Sequence, residues 1–266
     1  MIRATCLSLA FIVGLTASAA ADCDDRPRPG VDWSGCRKIG KLMSGADLQN
    51  ATFDRANLTQ TNLKRADLRS ASLVQANVSH ADFSDAKLQE ADLTRVEAYR
   101  ATFARADLTG AGLSRAILLR STLAEATLVG ADLTKAEAGR ADFSGTDLSD
   151  ALLAKAEMSR TNLAGARLQG ADLSQADLGR ANAAGADFRG ANLTEADLTL
   201  ADLRGATLAE ADVTRAYTRG VHVEDTDLAA VQGLTQRQLE EACGNAGTRL
   251  PAGLDTPDSW PCAVAE

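Results

Sequence analysis

The chain is poor in rings. Of its 266 residues only 4% are aromatic, with two Trp, two Tyr and six Phe, yet 45% are hydrophobic. The apolar share is therefore mostly Ala and Leu. That excludes an ordinary globular enzyme core, which holds more large rings. It also excludes a disordered chain, because too much of it is apolar. Two His and five Cys leave little for catalysis or metal binding. No stretch is a basic block, and 36 acidic against 28 basic residues give a formal charge of −8. Such a balance disfavours a general polyanion binder and makes nucleic acid a poor partner.

The first 21 residues read as a targeting segment. Arg3 is their only charge, and Leu7 to Ala20 is apolar but too short to span a membrane. Ala19-Ala20-Ala21 supplies a small-x-small cleavage site before Asp22, so a secretory signal peptide ending near Ala21 is expected. The mature chain is then periplasmic or secreted, where disulfides persist. Cys23 would suit a lipid anchor, but Asp22 before it is a poor fit to that processing. No later stretch is long and apolar enough to span a membrane.

The middle of the chain repeats every five residues, as in Ala46-Asp47-Leu48, Ala51-Thr52-Phe53 and Ala56-Asn57-Leu58. With Leu48 to Leu228 as centres there are 37 units without insertion or deletion. Leu or Phe fills 29 centres, Ala fills 30 of the positions two before, and Asp or Asn fills 21 of the positions between. Helices need a period of about 3.6 and lone strands a period of about 2, so neither fits. A coil with one pentapeptide per face does fit, with the centre and the Ala inward and the other three residues outward. Ala is needed because a larger inward group overpacks the coil. Thr61, Val96, Ser121, Thr146, Thr161 and Val221 are among the exceptions. Gly recurs two after the centre, as at Gly130, Gly145 and Gly165, and reads as a corner residue.

The motif A-(D/N)-L-x-x resembles that of the pentapeptide-repeat family. The resemblance implies an all-β solenoid, a right-handed quadrilateral β-helix with four faces and 20 residues per coil. Nine coils at about 4.8 Å make a rod about 45 Å long. The Asp are then expected as solvated or ladder-bonded carboxylates.

Both ends read as caps. Trp33 keeps register with the centres, so the first coil starts near Val31 and Trp33 covers its open end. Downstream, Thr235 to Ala242 reads as a short capping helix with a Thr235–Gln238 capping box, ended by Gly244. Leu228, Val231, Leu234, Leu239 and Trp260 are available to cover the last coil. The expected boundaries are 1–21 signal peptide, 22–45 N-terminal cap and first irregular coil, 46–230 repeat β-helix and 231–266 C-terminal cap. Cys23 and Cys36 lie at one end and Cys243 and Cys262 at the other. Bonded cysteines need Cα atoms within about 7 Å, so pairing within each end, Cys23–Cys36 and Cys243–Cys262, is expected. Each closes a short loop worth roughly 3 kcal/mol. Zinc is the rival use, disfavoured without CxxC spacing.

Little chemistry stands out. His80 and His222 fall on distant coils, and no catalytic residue, metal ligand or cofactor is expected. One column rises above the repeat. Arg100, Arg120, Arg140, Arg160 and Arg180 stack at intervals of 20, and Glu97, Glu137, Glu157 and Asp177 precede them by three residues. Another face is expected to carry a second column, Arg95, Arg115, Lys135 and Lys155, two after the centre. Two readings stand: a solvated column with Glu–Arg pairs inside each coil, or a binding strip for an acidic protein segment or an anionic envelope polymer. Small centres at Ala98 and Ala138 are expected to dent that face.

The function expected is that of a non-catalytic exported rod serving structure or protein–protein interaction. The alternative is inhibition or protection of a topoisomerase-like DNA-binding enzyme by DNA mimicry, which the resemblance implies for some acidic cytoplasmic members. The targeting segment and the Arg column count against it. A monomer is favoured over a homodimer, because a disulfide-locked lid has less need of a partner. Reduction is then expected to loosen the lid and promote end-to-end dimers.

Overall fold

The computed structural model describes residues 22–262, and the signal peptide expected over 1–21 lies outside them. From Val31 onward the chain turns a corner every five residues. From Ala51 onward the Ala and the centre of each unit are buried, and the residue between them faces out. That outward residue bridges its counterpart 20 residues on in parallel, without a slip from Asp32–Thr52 to Asp212–Gln232. Four faces therefore close each coil, and ten coils stack from Val31 to Ala230. The bonds repeat as well: Leu68 N donates to Lys87 O at 2.7 Å and Asp67 N to Ala46 O at 2.9 Å. Since each coil pairs only with its neighbours, stability is close to a sum over interfaces.

The corners explain the Asp and Asn of the motif. Each of the 21 accepts, through its side-chain oxygen, the backbone N–H two residues on, as from Thr134 to Asp132 at 2.8 Å. This is an Asx turn, which folds the corner from within. The ladder bonds expected for these residues form at a few sites, such as Asn162 to Asp142 at 3.0 Å. The residue two after each centre from Leu48 to Val223 is left-handed: Gly145 has φ 64° and Arg140 has φ 60°. Glycine takes that conformation freely, whereas other residues do so at a cost of about 1–2 kcal/mol.

The core keeps its volume by compensation. Val78, Ala98, Ala138 and Ala183 are the small centres before the last coil, and each is followed by a Phe centre: Phe83, Phe103, Phe143 and Phe188. All eight are buried. An interior packed to crystal density cannot leave a void at each small centre, so the next face fills it. Inward hydroxyls are also satisfied. Thr146 Oγ1 donates to Leu123 O at 2.8 Å, Ser121 Oγ to Leu118 O at 2.7 Å and Thr226 Oγ1 to Leu203 O at 2.9 Å.

The two disulfides sit one at each end, with Cα–Cα separations of 5.5 Å for Cys23–Cys36 and 5.4 Å for Cys243–Cys262. At the first end Trp33 is buried edge-on to Phe53, with Lys38 Nζ 3.8 Å above its ring. At the other end lies the helix α1, Gln236–Glu240, with Thr235 as N-cap in a capping box with Gln238. It stops before Ala242, short of the expected span, because Cys243 returns to the ladder and bridges His222. Gln238 closes the end: its amide donates to Val213 O at 2.9 Å and Ala216 O at 3.0 Å. No helix among the described residues is long and apolar enough to cross a membrane.

Candidate functional site

Residues 20 apart share a position on successive coils, so a column of corners can be followed along the rod. Arg100, Arg120, Arg140, Arg160 and Arg180 hold the second corner position of five coils. Arg95, Arg115, Lys135 and Lys155 hold the corner just before it in the chain. The segments between, such as 96–98 and 136–138, form one face. The two columns therefore border the same face from both sides, and all nine cations are exposed. Down the middle runs the bridged ladder Glu97, Ile117, Glu137, Glu157 and Asp177. Nine cations against four carboxylates make this face positive on a chain whose net charge is −8.

The Glu–Arg pairs expected inside each coil do not form. Among the described residues none of the nine cations is in an ion pair. The reason is the left-handed corner. A cation one after the centre reaches the acid one before it, as Arg69 reaches Asp67 at 2.6 Å and Arg189 reaches Asp187 at 2.7 Å. A cation two after the centre has turned the corner. It meets the same position of the adjacent coil instead, as Arg105 meets Asp85 at 2.8 Å and Arg215 meets Glu195 at 2.9 Å. In a column made only of Arg that neighbour is another Arg. At the coil spacing of about 4.8 Å two unit charges repel by about 0.9 kcal/mol even in bulk water.

The paired acids show the contrast. The guanidinium hydrogen bonds of Arg69, Arg189 and Arg204 hold the carboxyls of Asp67, Asp187 and Asp202 below the ordinary value of 3.8.

The face is dented, but not at Ala98 or Ala138 as expected. Both point inward, and the Phe centre after each fills the coil. The depression lies one residue on, at the outward Gly139, with a volume of about 370 Å³. Tyr99, Leu119 and Ser159 wall it, and Arg120 and Arg140 stand at its rim. A Cβ built on Gly139 would lie 3.4 Å from Leu119 Cδ2. Tyr99 is already engaged, by Arg100 Cζ 5.2 Å from its ring centroid and by His80 packed edge-to-face at 5.8 Å. The other histidine, His222, meets Glu224 at 2.9 Å. No group of three or more His, Cys, Asp or Glu among the described residues is placed to hold a metal ion.

Sequence reasoning found the Arg column but assigned the second column to another face. The signal was present: 95 and 100 are consecutive corners, so one face lies between them. Gly139 was missed because Gly is common at corners, and only its position one after the centre sets it apart.

The family model for pentapeptide repeats matches residues 140–180, 171–208 and 184–220, and that for a pentapeptide repeat region matches 46–123. No curated protein matches the chain. Among solved structures, HetL, a pentapeptide repeat protein involved in heterocyst differentiation regulation from the cyanobacterium Nostoc sp. strain PCC 7120, is 30% identical; the alignment covers 89% of this chain and 93% of that one, with a TM-score of 0.42. QnrB1, a plasmid-mediated fluoroquinolone resistance protein, is 17% identical over 81% of this chain and 90% of its own, with a TM-score of 0.31. A pentapeptide repeat protein from the Arabidopsis thaliana thylakoid lumen is 27% identical over 52% of this chain and 80% of its own, with a TM-score of 0.18. The two family models together cover more than half of the chain, and the period, the inward Ala and the four-faced coil agree with them: the chain belongs to the pentapeptide-repeat family.

Proposed function

We propose that this protein is a non-catalytic, exported interaction rod that holds an extended anionic partner on the face between its two basic columns. The observation that carries the reading is nine exposed cations along one face with no acid, among the described residues, within ion-pairing distance. Their backbone argues the same way. All nine stand at left-handed corners where Gly would be cheaper, so the fold itself does not require them. From Arg100 to Arg180 the column spans about 19 Å, enough for roughly six extended residues of a partner. Export is supported by residues 1–21 and by the two disulfides, which persist in an oxidising compartment. The basic face also weighs against mimicry of duplex DNA, which needs a uniformly acidic surface.

The test replaces the five column arginines by Ser and compares crosslinked partners captured from the periplasm. Loss of the partners that the unaltered rod captures is the expected result. An unchanged set would overturn the reading, and so would a cytosolic pool with an uncleaved N-terminus.

A further inference from the structure

The cross-section of the face is positive, negative, positive: a basic column, the carboxylate ladder and a second basic column. A simple polyanion lying along the middle would meet Glu97, Glu137, Glu157 and Asp177 head-on. An extended acidic peptide fits better. Its backbone N–H groups can donate to the central carboxylates, while its side chains alternate to either side and reach the two columns. The ladder is also broken once, by Ile117, two residues before Leu119 in the wall of the depression. A spot walled by Tyr99 and Leu119, with Ser159 beside them, between Arg120 and Arg140 suits a bulky apolar side chain flanked by carboxylates. A sugar ring would want an open aromatic face, and Arg100 already lies over Tyr99.

We infer that the depression at Gly139 is an anchor subsite for one large apolar side chain of an extended acidic peptide, whose carboxylates pair with Arg120 and Arg140. This deepens, and rests on, the reading of the basic face as the binding surface.

The test is fluorescence anisotropy on the full oxidised protein with labelled Glu-Asp-Glu-Phe-Glu-Asp-Glu, with the same peptide carrying Ala for Phe, and with a polyuronate of matched charge. The Phe peptide should bind about tenfold tighter than the Ala peptide, the factor expected from burying one large apolar group. Gly139→Leu fills the depression. The residue is not in the left-handed region, and the nearest atom to its new Cβ is the end of a flexible side chain, so the variant should fold. It should abolish the Phe preference and leave the Ala peptide unaffected. Arg120→Gln with Arg140→Gln should weaken both peptides and flatten their salt dependence. Equal binding of the two peptides by the unaltered protein would overturn the anchor while leaving the basic-face reading intact. No binding of any probe at low salt would overturn both. Tighter binding of the polyuronate than of the Phe peptide would overturn the peptide assignment.

Discussion

Ala138 followed by Phe143 carries the same number of side-chain carbons as two leucines would, and this makes the volume compensation testable. Both side chains are buried in one coil of a continuous core. Phe143→Leu alone removes three carbons; at about 0.8 kcal/mol per buried methylene, plus a cavity term, it should cost about 2–3 kcal/mol. Ala138→Leu alone inserts three carbons into a filled coil and should cost about 1–3 kcal/mol by overpacking. If the two were independent, the double variant would lose the sum. If the Phe is there because the Ala is small, the double variant is a volume-conserving swap and should lie within about 1.5 kcal/mol of the parent. The coupling would then be about 2 kcal/mol or more. Urea unfolding of the oxidised protein, followed by far-UV circular dichroism and by tryptophan fluorescence, measures it. Trp33 and Trp260 sit at opposite ends, so coincidence of the two signals also checks that the array unfolds as one unit. Additive losses would refute the compensation and return Ala138 to being a defect of the repeat.

Asp132→Ala should cost about 1 kcal/mol by removing the acceptor of the Thr134 N–H at the corner, whereas Asp132→Asn keeps an acceptor and should cost much less; urea midpoints compare the two. Asp67, Asp187 and Asp202 have folded pKa values below the ordinary 3.8, so their contribution to stability is present above that value and is lost as pH falls through the lower folded values. Thermal midpoints should therefore drop below about pH 4. The triple Asp→Asn variant should flatten that slope, and an equal slope would count against the guanidinium pairs.

The period fixes more of this fold than is usual for a single sequence. One reading frame, held without a gap, places every inward Ala and every centre, and the distance between the ends leaves Cys23 only Cys36 to pair with. The corners were less legible. That Asp132 folds its corner by accepting from Thr134 depends on backbone direction, which a motif count does not contain. The ion pairs failed for the same reason. Glu137 and Arg140 look like partners at a spacing of three, but a left-handed residue at 140 sends its side chain around the corner. Spacing rules for pairing hold on helices, where consecutive residues turn by a constant angle. On a square coil, one step past the centre and two steps past it face different neighbours.

The C-terminal lid shows how a lock suggested by the sequence differs from the closure that geometry provides. The Cys243–Cys262 disulfide ties the tail to the ladder residue that bridges His222, and Trp260 Nε1 adds a bond to Ala242 O at 2.7 Å. The backbone of Cys243 covers Val221 O at 2.7 Å, but neither the disulfide nor the indole reaches the end carbonyls of Val213 and Ala216. Gln238 does, with one amide donating to both Val213 O and Ala216 O, while Thr218 Oγ1 bonds Gln238 O at 2.9 Å and Leu239 is buried beneath. A buried carbonyl left without a donor costs about 1–3 kcal/mol, so opening this latch is the larger perturbation. It also uncovers a sheet edge, and exposed edges template pairing with another chain. We therefore expect the oxidised protein to sediment as a monomer. Cys262→Ser should free the tail and change the emission of Trp260 while the protein stays monomeric. Gln238→Ala, with both disulfides intact, should associate end to end in a concentration-dependent way. Dimers from Cys262→Ser but not from Gln238→Ala would return the lock to the disulfide, and a dimer of the unaltered oxidised protein would show that neither device closes the edge.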